Sequence, residues 1–214
     1  AGSSLTLTAT LSVAADEAVT VSLSTSGTST EGTDYTDGSG NVDDITISAG
    51  STTGTVNFTP TDDSVYEGNE TAIIAISSVS GADASESGSQ SVTITITENE
   101  SAPTITLARS AASIDENSAS TITLTATISG VTDSAVTVAL DTSGTATEGT
   151  DYGTISDITI SAGATTGTAT LDPTDDSVYE DDETVTVTID GVSGGSASES
   201  GSQSVTITIT ENES

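Results

Sequence analysis

A chain of 214 residues has room for one large domain or two modest ones. Its 33 Asp and Glu face a single basic residue, Arg109, for a net charge of −32; nucleic-acid backbones and anionic membrane surfaces are excluded as partners, and cations are indicated. The absence of His, Cys and Lys removes triad catalysis, zinc, haem, iron–sulfur and disulfide chemistry together.

Leu, Ile, Val and Phe make up just under a fifth of the chain, a composition that with this charge is usual for disorder. The pattern overrules it. Apolar residues alternate with Thr and Ser over 5–11, 19–23, 45–47, 56–58, 72–76 and 92–96. A further segment starts at 104–107 and runs on to Glu116, followed by 122–128, 136–140, 158–160, 169–171, 185–189 and 205–209. A strict period of two, β-branched residues and Gly, Ser and Asp between the runs predict half-buried strands throughout. No segment carries a helical period, and no apolar run approaches the ~20 residues that span a bilayer.

The chain is one unit written twice. Residues 30–35, Thr-Glu-Gly-Thr-Asp-Tyr, recur as 147–152; residues 61–67 recur as 174–180, and 86–101 recur as 199–214, unchanged. The offset is 117 early (147 against 30) and 113 late (174 against 61), so four residues are lost between Tyr152 and Asp157, in what reads as a surface loop. The expectation is all-β: two tandem seven-stranded antiparallel β-sandwiches of the immunoglobulin-like Greek-key kind, 1–101 and 102–214. Because Ala1 aligns with Ser118, the first copy is expected to lack its opening strand. Tyr35 and Tyr152 are expected to plug the two cores, and Glu86 and Glu199 to be exposed.

Most acidic residues lie between strands rather than on them. They gather at Glu31 and Asp34; Asp43 and Asp44; Asp62 to Glu70; Glu98 and Glu100; Asp115 and Glu116; Glu148 and Asp151; Asp157; Asp175 to Glu183; and Glu211 and Glu213. Loops of a sandwich collect at its two ends, so several clusters must share an end. Two carboxylates ~4 Å apart repel by about 4 kcal/mol at an effective dielectric near 20. A group of four or five therefore needs a cation or strong protonation. Oxygen-only ligands of high charge select Ca²⁺ over Mg²⁺, which keeps its waters.

The spacing Asp-Asp-x-x-x-Glu-x-x-Glu at Asp62, Asp63, Glu67, Glu70 and again at Asp175, Asp176, Glu180, Glu183 resembles the signature of Calx-β domains. These are the calcium-binding β-sandwiches of sodium/calcium exchangers, integrin β4 and many bacterial surface proteins. The Gly-Thr-Asp-Tyr segments, the acidic pair in the opening strand and the acidic tail of the last strand extend the resemblance over nearly the whole chain. It implies Ca²⁺ ligands at Asp34, Asp62, Asp63, Glu67, Glu70, Glu98 and Glu100 in the first copy. In the second copy it implies Glu116, Asp151, Asp175, Asp176, Glu180, Glu183, Glu211 and Glu213. The family's tail is often a run of Asp, whereas here it reads Glu-Asn-Glu.

With near-identical tandem copies and a Thr/Ser/Asp bias, the chain looks like the repeat region of a large bacterial secreted adhesin. The expected function is structural: Ca²⁺ stiffens the junction between neighbouring repeats of an extended extracellular stalk, in a monomeric, non-enzymatic piece of a larger exported protein. The expected partners are calcium ions and neighbouring repeats of the same chain, with no nucleic acid and no direct membrane insertion. The alternative is a calcium-sensing regulatory pair of a membrane or signalling protein. Carbohydrate binding or hydrolysis is disfavoured by the absence of Trp and by only five aromatic residues.

Overall fold

A computed structural model of the chain describes residues 2–213. Among these residues there is no helix, hence none long and apolar enough to cross a membrane. Contacts divide the chain into two units, one formed by residues 1–63 and 68–99, the other by 64–67 and 100–214.

In the first unit, alternation converts directly into two facing sheets. One has the order β4 (Ile45–Ile47), β2 (Val19–Gly27), β7 (Glu70–Ser80), β8 (Ser91–Ile96). The other has β1 (Leu5–Thr10), β5 (Thr53–Pro60), β3 (Tyr35–Thr36). Leu5, Leu7 and Ala9 stand opposite Phe58, Val56 and Gly54, so the register places apolar side chains on one face and Thr on the other. Tyr35 is 1% exposed and stacks on Phe58, with ring centroids 4.6 Å apart. The core of this unit falls into two clusters, one around Tyr35, Phe58 and Ile74 and the other around Val19, Val21, Ile45 and Ile47.

The short β6 (Val65–Tyr66) belongs to the segment that groups with the second unit. There, one sheet runs β15 (Thr166–Leu171), β11 (Ile122–Ile128), β9 (Thr104–Arg109), β17 (Ser198–Glu199). The other runs β10 (Ser113–Asp115), β18 (Ser204–Thr210), β16 (Glu183–Ser193), β13 (Val136–Gly144), β14 (Ile158–Ile160). The two-residue β12 is Val131–Thr132. The core of this unit is one continuous cluster from Ile105 to Ile209, with Leu171 where the first unit has Phe58.

The all-β expectation holds, with one correction to its antiparallel form. The opening strand divides at 110–112: β9 runs antiparallel to β11, and β10 crosses to the other sheet and runs parallel to β18. Ser110 N–H donates to Thr123 O and Thr208 N–H to Ala112 O, so backbone bonds pass from one sheet to the other within three residues. A second parallel ladder joins β17 to β9. Alternation reports which face a residue takes and carries no information on strand direction.

Both units bulge at the same place, between Ser22 and Leu23 and between Ala139 and Leu140. The amides at these bulges donate to carboxylates, Leu23 N–H to Asp44 at 2.9 Å and Leu140 N–H to Asp157 at 3.0 Å. These two acids are structural pins. Gly144 ends β13 at φ +133°, where a Cβ would lie 2.1 Å from Thr184 O. Only glycine allows the approach, which lets Thr145 and Ala146 N–H both donate to that carbonyl and turns the chain into the loop bearing Asp151.

Candidate metal centre

In the second unit, four segments bring carboxylates to the end of the sandwich where β18 exits. Backbone amides of neighbouring segments fix Asp151, Glu116 and Glu211 among them. Residues 147–152 form a tight turn, with Asp151 N–H donating to Thr147 O and Gly149 N–H to Tyr152 O. The Tyr152 ring fills the core at 2% exposure beneath that turn. Thr147 N–H donates to one oxygen of Asp151 at 2.6 Å, so a buried carboxylate is fixed while its group faces Glu180 and Glu183. Glu116 follows β10 directly and is buried; Glu183 opens β16; Glu211 and Glu213 follow β18.

Two trios result. Asp151, Glu180 and Glu183 present carboxylate oxygens all within 4.8 Å of one another, and so do Glu116, Glu211 and Glu213. A cavity of about 10 Å³, lined by Glu116, Asp151, Glu180, Asp181, Glu183 and Glu211 with Ile209, touches members of both. That is a volume for one water or one ion. Glu180 N–H donates to Glu211 at 2.5 Å, and the amides of Asn212 and Glu213 donate to the other oxygen of Glu211 at 2.7 Å. Asp176 N–H donates to Glu116 at 3.2 Å.

The electrostatics of the cluster are those of carboxylates forced together. Burial, then the hydrogen bond and charge of Asp151, push Glu183 up to about 7. Burial and the charges of Asp151, Asp176 and Glu211 raise Glu180. Burial also raises Glu116, with the charges of Glu211, Asp176 and Asp175 adding to it. Glu211 goes the other way, held at about 2 by the amides of Glu213 and Glu180. Glu213 is raised, first by its hydrogen bond to Glu211. Its Oε2 is buried without a hydrogen-bond partner among the described residues. An orphaned carboxylate oxygen of this kind wants a proton or a cation.

Of the residues expected in the second copy, Glu116, Asp151, Glu180, Glu183, Glu211 and Glu213 converge. Asp175 and Asp176 lie outside both trios; Asp176 accepts from Val178 N–H at 2.6 Å and caps the loop leading to Glu180. Two acids missed by the spacing argument belong here. Asp181 lines the cavity, and Asp182 accepts from Glu211 N–H at 3.1 Å, holding the tail against the start of β16. The run Asp181-Asp182 was the available signal, hidden because the first copy has Gly68-Asn69 there.

In the first unit, Asp34 is buried and accepts from Thr30 N–H at 2.5 Å, matching Asp151. Glu98 accepts from Gly68 N–H at 2.8 Å, and its own amide donates to Asn69 at 2.9 Å. Asn99 Nδ2 donates to Asp62 at 3.2 Å. Asp63 precedes the break in this unit, Glu70 opens β7, and Glu67 and Glu100 fall in segments that group with the second unit. The position matching Glu116 in the first copy falls ahead of Ala1. Elsewhere, Glu31 accepts from Val42 N–H at 2.6 Å and from Thr25 at 2.9 Å, and is therefore a loop brace. Glu199, expected to be exposed, is half-buried and accepts from Gln203 N–H.

Family comparison matches residues 4–100 to the Calx-beta domain and 101–212 to the LapA domain. The first copy belongs to the Calx-beta family; the second, and with it more than half of the chain, belongs to the LapA domain family. Comparison with curated proteins gave no match. Among solved structures, the chain is similar to the apo form of the Calx CBD1 domain, at 21% identity over 52% of this chain and 98% of that one, TM-score 0.42. It is also similar to CBD12 from CALX1.2, at 16% identity over 96% and 92%, TM-score 0.38. A third likeness is to invasin, a bacterial integrin-binding protein, at 19% identity over 98% of this chain and 36% of that molecule, TM-score 0.41.

Proposed function

We propose that this Calx-beta/LapA pair is a calcium-binding structural element, in which Ca²⁺ holds the carboxylate-bearing end of each domain and stiffens the passage to the next repeat of an extended extracellular stalk. The observation that carries the reading is the pair of carboxylate trios, Asp151, Glu180, Glu183 and Glu116, Glu211, Glu213, five of whose six members line an ion-sized cavity. Two sets of three carboxylates, no nitrogen or sulfur, and a buried orphan oxygen on Glu213 suit Ca²⁺, which takes oxygen ligands in flexible geometry. The bound ion supplies positive charge that the site otherwise lacks. The chain's own groups do the rest: the 147–152 turn fixes Asp151, the amides at 180, 212 and 213 fix Glu211, and the tail is thereby tied to the start of β16.

The tail carboxylates carry the reading from one domain to a chain of domains. Glu211 and Glu213 repeat Glu98 and Glu100, which directly precede the passage Ser101-Ala102-Pro103 between the copies. An ion that immobilises this tail immobilises the start of whatever follows it. Affinity is expected in the ~10⁻⁴–10⁻³ M range of extracellular modules.

Calorimetric titration of the whole chain with Ca²⁺ tests the reading directly, alongside an Asp151→Asn, Glu180→Gln variant. Saturable binding that the variant loses in part, together with a larger maximum dimension in X-ray scattering with Ca²⁺ than with EDTA, is the expected result. No heat and superimposable scattering curves would refute it. Submicromolar affinity would favour the sensing alternative instead.

A further inference from the structure

The opening strand of the second unit is tied directly to its last one. β10 runs parallel to β18, with Ser113, Ile114 and Asp115 opposite Thr208, Ile209 and Thr210. Thr208 N–H donates to Ala112 O and Glu116 N–H to Thr210 O, each at 3.0 Å, at the two ends of this ladder. Backbone groups alternate along a strand, so Ile114, midway between Ala112 and Glu116, turns both its amide and its carbonyl to β18, while the amide of Ser113 faces away. The Ile114 side chain packs on the core of the unit, and Ile209 opposite it is buried.

Parallel pairing decides how this ladder takes a load. The chain enters the unit ahead of β9 and leaves it after β18. Tension along the chain draws the start of β10 and the end of β18 in opposite directions. Because the two strands point the same way, they must slide along one another, and all the bonds between them resist together. Strands peeled from one end give way one bond at a time instead. Position in the chain matters as much as direction. Unravelling from the entry side strips β9 from β11 and β17 and then β10 from β18. Unravelling from the exit side strips β18 from β10 and β16. Of the ladders met first, that between β10 and β18 lies on both routes.

We propose that the β10–β18 ladder is a mechanical clamp, the contact whose rupture sets the force at which this unit unfolds when the chain is pulled lengthwise. The clamp rests on strand direction and backbone bonds, and it needs no calcium.

Single-molecule pulling of the whole chain in EDTA, at one fixed force, is the test; lifetimes under load report the unfolding rate. The chain has no cysteine, so handles go only where they are placed. On the two chain ends they load the clamp lengthwise. On Ser134→Cys and Ala162→Cys, beside the paired ends of β13 and β14, they peel that antiparallel pair open. In lengthwise pulling the second unit is the event that releases the longer stretch of chain. Its lifetime should exceed that from the cysteine pair by at least about tenfold, the factor for a bond or two broken at once. Ile114→Pro removes an amide that faces β18 and should shorten the lengthwise lifetime about tenfold or more, with little change from the cysteine pair. Ser113→Pro, at the head of an edge strand with its amide turned outward, should leave both unchanged. Equal lifetimes of the unsubstituted clamp in the two directions overturn the proposal, whether or not Ile114→Pro folds. An Ile114→Pro effect of the same size in both directions also overturns it, because that marks a general loss of stability.

Discussion

Glu183 sits where burial and three neighbouring carboxylates oppose its ionisation, and its pKa of about 7 makes it the group through which pH reaches the site. In the metal-free fold it keeps a proton that the unfolded chain gives up near 4.5. The folded state thus holds more protons between those values, and stability from this group falls as pH rises from about 4.5 to 7. Glu211, held at about 2, contributes in the opposite sense: its stabilisation is present above about 4.5 and is lost as pH falls towards 2. Metal-free protein should therefore melt highest near pH 4–5 as far as these two groups decide it. Calcium needs Glu183 ionised, so its affinity should climb between pH 5 and 7 and then level off. Melting curves at half-unit pH steps, with EDTA and with Ca²⁺, check both signs; optima that coincide would contradict the account. The same reasoning predicts that Glu183→Gln raises the melting temperature in EDTA by a few degrees, roughly, while weakening calcium binding. A variant that loses stability in EDTA would show that Glu183 is a structural acceptor instead.

At the scale of the element, the turn that presents Asp151 depends on how β13 ends. Gly144 at φ +133° packs against Thr184 O too closely for any Cβ, and the two amides that follow share that carbonyl. Gly144→Ala should cost more than ~1 kcal/mol, because the substitution is strained and the carbonyl cannot move without disturbing β16. Since the 147–152 turn hangs from the same point, calcium affinity should fall in the surviving folded protein. Gly153→Ala, where the nearest atom to an added Cβ is 3.9 Å away, should leave both unchanged. Denaturant melts and calcium titrations of the two variants settle this. The strands themselves were legible from alternation at 122–128, 136–140 and 205–209, and so were the core tyrosines. The division of the opening strand at 110–112 was not, because Ser-Ala-Ala has no pattern that marks a change of sheet. Six of the second copy's eight expected ligands converge, since loop position follows from strand order. Asp44, Asp157 and Glu31 turned out to brace bulges and loops, and only their backbone partners distinguish them from ligands.

For the molecule as a whole, a net charge of −32 and a core with few large side chains pull against folding, and calcium and simple screening by salt can each relieve that strain. The two differ in reach. Screening acts on all the carboxylates and needs tens to hundreds of millimolar salt, while site binding acts where oxygens converge. At a hundred times Kd, one bound ion contributes about 2.7 kcal/mol. For a domain of this size each kcal/mol moves the midpoint by about 4–8 °C. The second unit, with its continuous core and two trios, should therefore gain about 10–20 °C in saturating Ca²⁺. In EDTA the first unit should unfold at the lower temperature, since its core is divided into two smaller clusters and Leu5 and Val92 remain exposed. Differential scanning calorimetry in EDTA, in Ca²⁺ and in NaCl matched to the same ionic strength separates the effects. Two transitions are expected, the later one responding to Ca²⁺ far more than to NaCl. If matched NaCl shifted it equally, the carboxylates would be acting as a diffuse charge and the ion site would have no part in stability.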